Sequence, residues 1–287
     1  MDYLLSLGIF FVIVLIVTNH QEIKESFSAF ELVNTYTSSL PLAREYTNVK
    51  DAQNGVVVGS ENFYAINSTS ISKHDLRTGN FIKQVDFSKH PRINNLNSGV
   101  VVRNNLYVAN SQSTEKHRRN TIEVFNKDLV YLYHINVTGN TGVLTWIDYY
   151  DGKWWGCFAH MNDMVNYTVL VEFYHPNPDM EYENTIQNKD LINWHVKDRW
   201  FFPHKVNQRL KPYSCFGGSF GPDGNLYVTG KDKKEMYVLN FHSGSPIMSI
   251  NHVKEVSING GGISWDRQRN LLLGLDKRKK SVFVYQG

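Results

Sequence analysis

Apolar residues recur along this chain in short runs, and each run begins at a glycine. The spacing of these glycines is nearly regular, since three of the four intervals are 43 or 44 residues and one is 76 residues. The five runs begin at Gly55, Gly99, Gly142, Gly218 and Gly261. Self-similarity at a period of this length indicates a repeated supersecondary unit that packs against copies of itself.

Each repeat continues with the same series of turns and strands. A turn such as Pro222–Asn225 follows the first run, where proline presets φ and glycine accepts a positive φ. Two more apolar runs come next, and several of them, for example Thr121–Phe125, alternate sides as half-buried strands do. A fourth strand is predicted in four of the repeats, at 81–87, 130–135, 194–202 and 247–253. No helical period is evident after residue 30.

This series predicts an all-β fold, a β-propeller of about five four-stranded blades, because one blade takes ~40–45 residues. The last repeat reaches Gly287 without a fourth strand, and the segment 30–36 can supply that strand and close the ring. The long interval holds an elongated third blade or, alternatively, a degenerate sixth blade. A β-sandwich or two small β domains would use similar strands, but the regular period favours the propeller.

The first 29 residues are predicted to be a targeting segment, and residues 30–287 the propeller domain. The run Leu4–Val17 is almost entirely apolar, too short to span a ~30 Å hydrocarbon core but of the right length for the core of a signal peptide. No Lys or Arg precedes the run, and no small-x-small cleavage site follows it closely. An uncleaved signal anchor, which would make this a single-pass membrane protein, is therefore the alternative.

Three glycosylation sequons support a secretory route, at Asn67, Asn136 and Asn166. They predict a secreted or extracellular glycoprotein. The chain has two cysteines, Cys157 and Cys215, whose spacing matches no zinc or redox motif. In an oxidising compartment they are candidates for one disulfide, and the alternative is two separate buried thiols.

The composition says little about function, whereas the positions of the basic residues indicate a class of partner. The chain is 41% hydrophobic, 20% charged and 13% aromatic, which argues against disorder and favours strands. Its net charge is only +3.

Basic residues nevertheless concentrate in three predicted second-to-third-strand loops, at 115–119, 231–234 and 276–280. Loops of this kind share one face of a propeller, so we expect a local positive field there, and Arg118, Arg119 and Lys279 as ligand contacts. An anionic glycan such as a sulfated one, a small anionic molecule such as a phosphorylated ligand, or membrane headgroups fit this field, whereas the secretory compartment argues against nucleic acid. Solvated, lysine-rich loop tips are the alternative interpretation.

Polar residues at strand ends and in interblade links predict a funnel at the top of the central channel. The candidate ligand contacts in it are Asn97, Asn110, His160, Tyr213 and Asp276, with Asn67, Gly230 and His90 alongside. His160, with Asp163 nearby, is the one candidate for acid–base chemistry or metal binding. A histidine that serves only as a structural hydrogen-bond partner is the alternative.

Two segments carry a resemblance to known propellers. Gly221–Val228 and Gly261–Asp266 resemble segments that open the repeats of the NHL-repeat and gluconolactonase-like β-propeller superfamily, over roughly residues 50–287. The five repeats are also similar to the plant-type glutamine cyclotransferase propeller. The lactonase resemblance implies a divalent cation, such as Ca²⁺, held in the channel by a Glu, Asn and Asp set near the inner strands. The corresponding positions in this chain are Asn54, Asn97, Thr141, Ser214 and Asn259. None of them is a carboxylate, which such a cation prefers among its oxygen ligands.

These features together predict a secreted or lumenal binding module with a polar funnel and a basic rim. The alternative is a propeller hydrolase or lyase that acts on a small ligand in the channel, with or without a divalent cation. One fold hosts many functions, so the sequence leaves open whether the protein is an enzyme.

Overall fold

A computed structural model describes residues 39–113, 118–139, 142–160, 167–174 and 193–287. In these ranges the chain forms twenty β-strands and one short α-helix. The strands assemble into five four-stranded antiparallel blades, in which successive strands of the sequence are neighbours. Asn166 and Asp163, together with the whole segment 1–29, lie outside the described residues.

The bounds of the strands follow the predicted series closely. Blade 1 consists of β2 (Gly55–Val58), β3 (Asn62–Ile66), β4 (Ser70–Asp75) and β5 (Phe81–Asp86). Blade 2 consists of β6 (Leu96–Val102), β7 (Asn105–Ser113), β8 (Arg118–Asn126) and β9 (Tyr131–Thr138). Blade 3 consists of β10 (Val143–Tyr150), β11 (Lys153–His160), β12 (Tyr167–Tyr174) and β13 (Asn193–Phe201). Blade 4 consists of β14 (Gly217–Phe220), β15 (Leu226–Thr229), β16 (Glu235–Asn240) and β17 (Ser249–Glu255). Blade 5 consists of β18 (Ile263–Asp266), β19 (Leu271–Asp276), β20 (Ser281–Gln286) and β1 (Leu42–Tyr46).

The innermost strands close a ring. Strands β2, β6, β10, β14 and β18 contact one another in that order, and β18 contacts β2. At the narrow inner ends the backbones meet directly, since a Cβ on Gly217 would lie 1.5 Å from the carbonyl oxygen of Gly261. Glycine is required at such an approach because any side chain would collide with the neighbouring blade. The prediction of a five-bladed propeller is therefore confirmed.

An N-terminal strand closes the ring, but it is not the predicted one. Strand β1 pairs antiparallel with β20, and its register runs from Tyr46 opposite Val282 to Leu42 opposite Tyr285. The predicted segment 30–36 lies outside the described residues. Of the five residues in β1 only Tyr46 is buried. An outermost strand presents most of its side chains to solvent, so hydrophobicity is a poor guide to it.

The expectation that no helix follows residue 30 is wrong for seven residues. Helix α1 (His204–Leu210) lies in the link between blades 3 and 4 and begins directly after Pro203. It buries Val206 and Leu210, and the side chain of Asn207 accepts a hydrogen bond from the backbone N–H of Thr168 at 3.1 Å. The helix is too short to show a hydrophobic period in the sequence. None of the described helical residues forms a helix that is long and apolar enough to cross a membrane.

The space between the facing sheets of two adjacent blades, called here a wedge, holds the core. Trp154 illustrates the packing, with its ring centroid 4.7 Å from that of Tyr107 and 4.8 Å from that of Trp194. At the rim, β9 and β13 pair in parallel over three residues, which joins blades 2 and 3 into one eight-stranded sheet. Aromatic side chains of this size dominate core energetics, which explains how a chain with short inner strands keeps its blades together.

Candidate functional site

The loops between second and third strands lie on the same face as the links between blades. This follows from the antiparallel order, because successive turns of a blade alternate between the two ends of its strands. We call this end of the ring the connecting face. It includes the turns 67–69, 230–234 and 277–280, and the interblade links 47–54, 87–95, 202–216 and 256–262.

Two basic turns meet on the connecting face. Residues 230–234 of blade 4 and 276–280 of blade 5 together contain seven basic and two acidic residues, and we call them the basic cluster. Arg278 Nη2 lies 3.9 Å from Asp232 Oδ1 across the boundary of the two blades. Partial burial lowers the pKa of Lys277, and the positive charges of Lys231 and Arg278 lower it further. The cations are thus close enough to repel one another, a situation that a bound anion would relieve.

Local interactions hold these basic residues in place. Asp276, the last residue of β19, is buried, and its Oδ1 accepts hydrogen bonds from the backbone N–H groups of Arg278 (2.9 Å) and Lys279 (3.1 Å). Its carboxylate therefore holds the backbone of the turn, and this is the contact that the structure shows for this predicted ligand contact. Lys231 Nζ sits over the ring of Tyr213 at 4.6 Å and over that of Phe216 at 5.1 Å. Tyr213, a predicted ligand contact, therefore supports the basic cluster by a cation–π contact.

A pocket of about 490 Å³ opens beside the basic cluster, at the boundary of blades 5 and 1. Its lining residues, which define the blade 5–1 pocket, are Asn48, Val49, Lys50, Asp51, Gln53, Asn67 and Lys280. The carboxylate of Asp51 turns toward blade 1, where it accepts hydrogen bonds from Ser70 Oγ (2.8 Å) and Gln84 Nε2 (2.8 and 3.0 Å). Lys50 Nζ lies over the ring of Phe81 at 5.1 Å. Lys280 is exposed and links the pocket to the basic cluster.

The backbone of this pocket is held in an uncommon conformation. Eight non-glycine residues in the described ranges have a positive φ, and Asn48 (56°), Asp51 (59°) and Lys280 (53°) line the pocket. Asn and Asp tolerate this region, whereas a lysine there is less common. Strained residues of this kind concentrate at binding sites, where the surrounding structure holds them in place.

One predicted funnel residue, Asn97, and two residues at the positions that the lactonase resemblance names, Asn54 and Ser214, make polar contacts at blade boundaries. Asn97 is buried in β6 and donates a hydrogen bond from Nδ2 to the carbonyl oxygen of Leu144 in blade 3, at 2.9 Å. Asn54 makes the equivalent bond to Leu96 of blade 2, at 2.8 Å. Ser214 Oγ lies 2.8 Å from Thr168 Oγ1. Adjacent inner strands share no ladder of hydrogen bonds, so these side chains supply the polar contacts between them.

Asn110 belongs to a buried polar network that sequence reasoning missed. Its Nδ2 donates to the carbonyl oxygen of Arg92 (2.9 Å), to Thr121 Oγ1 (3.0 Å) and to Glu123 Oε1 (3.0 Å). Glu123 is fully buried, and desolvation raises the pKa of its carboxyl against the lowering effect of these hydrogen bonds. Burial and the neighbouring Glu123 also raise the pKa of Tyr131. The sequence gives no signal that tells a buried glutamate in the middle of a strand from an exposed one.

The remaining predicted residues lie apart from the basic cluster, with one exception. Arg118 and Arg119 are part of strand β8 in blade 2 and not of a loop, which corrects the prediction, and Arg119 Nη2 donates to Asn136 Oδ1 at 2.9 Å. His160 ends β11 in blade 3, and its ring stacks on that of Tyr167 with centroids 4.3 Å apart. The exception is Lys279, which lies in the basic cluster with Nζ 5.8 Å from the centroid of the Phe283 ring.

The two cysteines are brought together. Cys157 and Cys215 are both buried and are present as free thiols in the same apolar cluster, between blades 3 and 4. Burial raises the pKa of Cys157, and its hydrogen bond with Cys215 raises it further. Trp146 Nε1 donates a hydrogen bond to Cys215 Sγ at 3.3 Å. The two thiols are thus neighbours, and their pairing in a disulfide stays a prediction.

Among the residues that the structure describes, no group of three or more His, Cys, Asp and Glu side chains is placed to hold a metal ion. Asn54 and Asn97, which occupy positions where the lactonase resemblance implies cation ligands, use their Nδ2 groups between blades. Asn259 Oδ1 is buried without a hydrogen-bond partner among the described residues.

No protein-family model matches this sequence, and no curated protein matches it. Among solved structures, the β-propeller domain of Cps50 (Swd1) from Myceliophteria thermophila is 12% identical, with 82% of this chain and 83% of that chain covered and a TM-score of 0.43. Hydrazine synthase from Kuenenia stuttgartiensis is 11% identical, with 81% and 83% covered and a TM-score of 0.47. The WD40 repeats of RRP9 are 8% identical, with 86% and 98% covered and a TM-score of 0.43. These similarities concern the fold alone, and the propeller assignment rests on the closed ring of five sheets. The NHL and gluconolactonase-like resemblance stays a prediction.

Proposed function

We propose that this protein is a secreted or lumenal binding module that takes an anionic ligand, a sulfated glycan, on its connecting face. The ligand lies in the blade 5–1 pocket and extends over the basic cluster. Sulfate groups suit this surface because lysine ammonium groups are compact point charges that bind oxyanions without a fixed geometry. Pyranose rings suit a pocket of about 490 Å³ with an amide-rich wall that includes Gln53, Asn67 and Asn48.

One observation carries this proposal, namely that two basic turns from neighbouring blades meet beside a pocket. The sequence places them 46 residues apart, and the ring brings them side by side. Seven basic residues against two acidic ones make this the strongest local excess of charge in the described turns of a protein whose net charge is only +3. Such a field raises the local concentration of anions and speeds their association.

The secretory route is part of the proposal and rests on the sequence. The apolar run Leu4–Val17 and the sequons at Asn67 and Asn136 support it. An extracellular glycan and a lumenal one carry the same sulfate chemistry, so the ligand class holds for either location. A retained anchor would keep the propeller at the membrane surface without changing its connecting face.

The proposal is tested by calorimetric titration with a sulfated heparin-derived hexasaccharide, with its desulfated counterpart and with inositol hexakisphosphate. We expect binding of the sulfated hexasaccharide that weakens as salt is raised, because exposed charges are screened over ~10 Å at 0.1 M salt. The double variant Lys277→Gln, Lys280→Gln should bind about tenfold more weakly, since each exposed ion pair contributes ~0.2–1 kcal/mol.

A matched control removes the same charge from the opposite face. Arg77 and Lys127 are exposed in turns at the other end of blades 1 and 2. The variant Arg77→Gln, Lys127→Gln should bind as the wild type does. Equal weakening in both double variants would show that only net charge matters and would overturn the site. Stronger binding of inositol hexakisphosphate than of the hexasaccharide would reassign the ligand to a phosphorylated class.

A further inference from the structure

One glycosylation sequon lies in the wall of the blade 5–1 pocket. Asn67 begins the turn between β3 and β4, where its backbone N–H donates to the carbonyl oxygen of Ser70 at 2.9 Å. Its Oδ1 accepts the backbone N–H of Ser68 at 2.8 Å. The side chain is half-buried and lines the pocket with Gln53 and Lys280. The residue that would carry a glycan therefore lies on the same surface as the residues that would hold a ligand.

The other described sequon has a different setting. Asn136 is in the interior of β9, where it is paired with Thr121 of β8 on one side and with Asn193 of β13 on the other. Its Oδ1 accepts a hydrogen bond from Arg119 Nη2 at 2.9 Å. Asn67 by contrast lies in a four-residue turn at a loop tip, the kind of surface position that acceptor asparagines occupy.

We propose that a glycan on Asn67 controls access to the blade 5–1 pocket, so that the glycosylated chain and the ligand-bound chain are alternative forms of the protein. This inference rests on the proposed function, because it assigns a regulator to that same site. A branched oligosaccharide attached to the wall covers the mouth of a pocket of about 490 Å³ and blocks the path from the pocket to Lys280.

The modification has a defined chemical balance. Asn67 Nδ2 forms a bond to C1 of the first sugar of a lipid-linked pyrophosphate oligosaccharide. The bond between that C1 and the pyrophosphate oxygen breaks, the lipid pyrophosphate leaves with the bonding electron pair, and Nδ2 loses one proton. The donor is a lipid-linked oligosaccharide of the secretory pathway, and no oxidant or reductant takes part.

The test compares two sequon variants of the full chain produced in a glycosylating secretory host. Thr69→Ala removes the Asn67 sequon but keeps the Asn67 side chain in the pocket wall. Thr138→Ala removes the Asn136 sequon and serves as the matched control. Intact mass and peptide mapping give the occupancy of each site, and titration with the sulfated heparin-derived hexasaccharide gives the affinity.

We expect Asn67 to be occupied in the wild type, and Thr69→Ala to bind the hexasaccharide at least tenfold more tightly than the glycosylated wild type. Thr138→Ala should bind as the wild type does. Trimming the wild-type glycan to one sugar with an endoglycosidase should restore most of the affinity, and this measurement needs no substitution.

Three results would contradict the inference in separable ways. An unoccupied Asn67 overturns it while leaving the proposed function intact. Occupied Asn67 with equal affinities for wild type and Thr69→Ala shows that glycan and ligand coexist, which again overturns only the inference. Absence of hexasaccharide binding by Thr69→Ala and by the trimmed wild type removes the proposed function and the inference together.

Discussion

The wedge between blades 3 and 4 buries the carboxylate of Asp148, the wedge between blades 1 and 2 buries that of Glu123, and these two carboxylates have opposite surroundings. Asp148 in β10 accepts hydrogen bonds from the backbone N–H of Phe220 (2.8 Å) and from Ser219 Oγ (3.1 Å), both in blade 4. Its Oδ2 also pairs with the guanidinium of Arg267, which comes from blade 5. One charged group thereby connects three blades.

The groups that donate hydrogen bonds to Glu123 in β8 are neutral. Oε1 accepts from Asn110 Nδ2 at 3.0 Å and from Thr121 Oγ1, and Oε2 makes no hydrogen bond of ordinary geometry to a described residue. The Tyr131 hydroxyl approaches the same carboxyl, and Arg119 acts on it from a distance. The adjacent pair Arg92 Nη1 and His134 Nε2, 3.0 Å apart, completes the cluster.

This difference shows that burial of a carboxylate has two outcomes in one fold. A buried charge that is paired and accepts backbone N–H groups acts as a joint, and removing it leaves its partners unsatisfied. A buried carboxyl without a cation in contact favours its protonated form, because desolvation penalises the charged one. The stability of the blade 3–4 wedge is therefore expected to depend on the charge of Asp148. The stability of the blade 1–2 wedge is expected to depend on pH through Glu123.

The largest effect is expected at Asp148. The variant Asp148→Ala leaves Arg267 without its carboxylate and the Phe220 N–H without an acceptor, so the free energy of unfolding should fall by about 3–5 kcal/mol. Urea unfolding of the wild type and the variant measures this fall. A loss below about 1 kcal/mol would show that the joint contributes no more than a surface ion pair.

The second effect concerns the thiols in the same wedge. We predict that Cys157 and Cys215 form a disulfide in protein from a secretory host, with no free thiol detected under denaturing conditions. Reduction should then lower the free energy of unfolding by about 2–4 kcal/mol, because the bond constrains the unfolded chain. The control is protein from a reducing cytosolic host, in which two free thiols are expected. Two free thiols in the secreted protein as well would contradict the pairing.

A smaller effect, distinguished by its pH dependence, is expected at Glu123. Its pKa in the folded state is raised above the unfolded value, so the native state binds the extra proton. The stability that this carboxyl contributes is fully present below the unfolded pKa and is lost as pH rises through the folded pKa. Glu123→Gln cannot titrate, so its free energy of unfolding should rise relative to that of the wild type as pH increases above the unfolded pKa of the glutamate. Parallel pH profiles of the two proteins would mean that Glu123 titrates as it does in the unfolded chain.

The smallest effect is expected at an ion pair whose carboxylate is exposed although its lysine is buried, and this pair calibrates the comparison. Lys73 Nζ lies 3.3 Å from Asp128 Oδ1, and Asp128 is 57% exposed. Asp128→Ala should change the free energy of unfolding by less than about 1 kcal/mol. A loss as large as that at Asp148 would show that side-chain burial is not what separates the two carboxylates.

Sequence patterns predicted the candidate site only in part. The turns 231–234 and 276–280 were recognisable because they carry runs of lysine and arginine one repeat apart. Lys50 and Asp51 were missed because the link before blade 1 has no compositional bias. Asn97 and Asn110 were expected in the funnel, yet both are buried between or within blades, and a polar residue at a strand end reads the same in either role.

The sequence by itself determined the repeat, the strands and the turns, because these depend on the alternation of neighbouring residues and on the backbone preferences of Gly, Pro and Asn. Only the tertiary structure decided which distant residues meet. Asp148 and Arg267 pair, the Cys157 thiol lies beside the Cys215 thiol, and β1 completes blade 5. It also placed Asn67 in the wall of a pocket that Lys280 lines. Such contacts depend on ring closure, which brings together segments that are far apart in the sequence. The pattern of neighbouring residues in each segment does not indicate which distant segment it will contact.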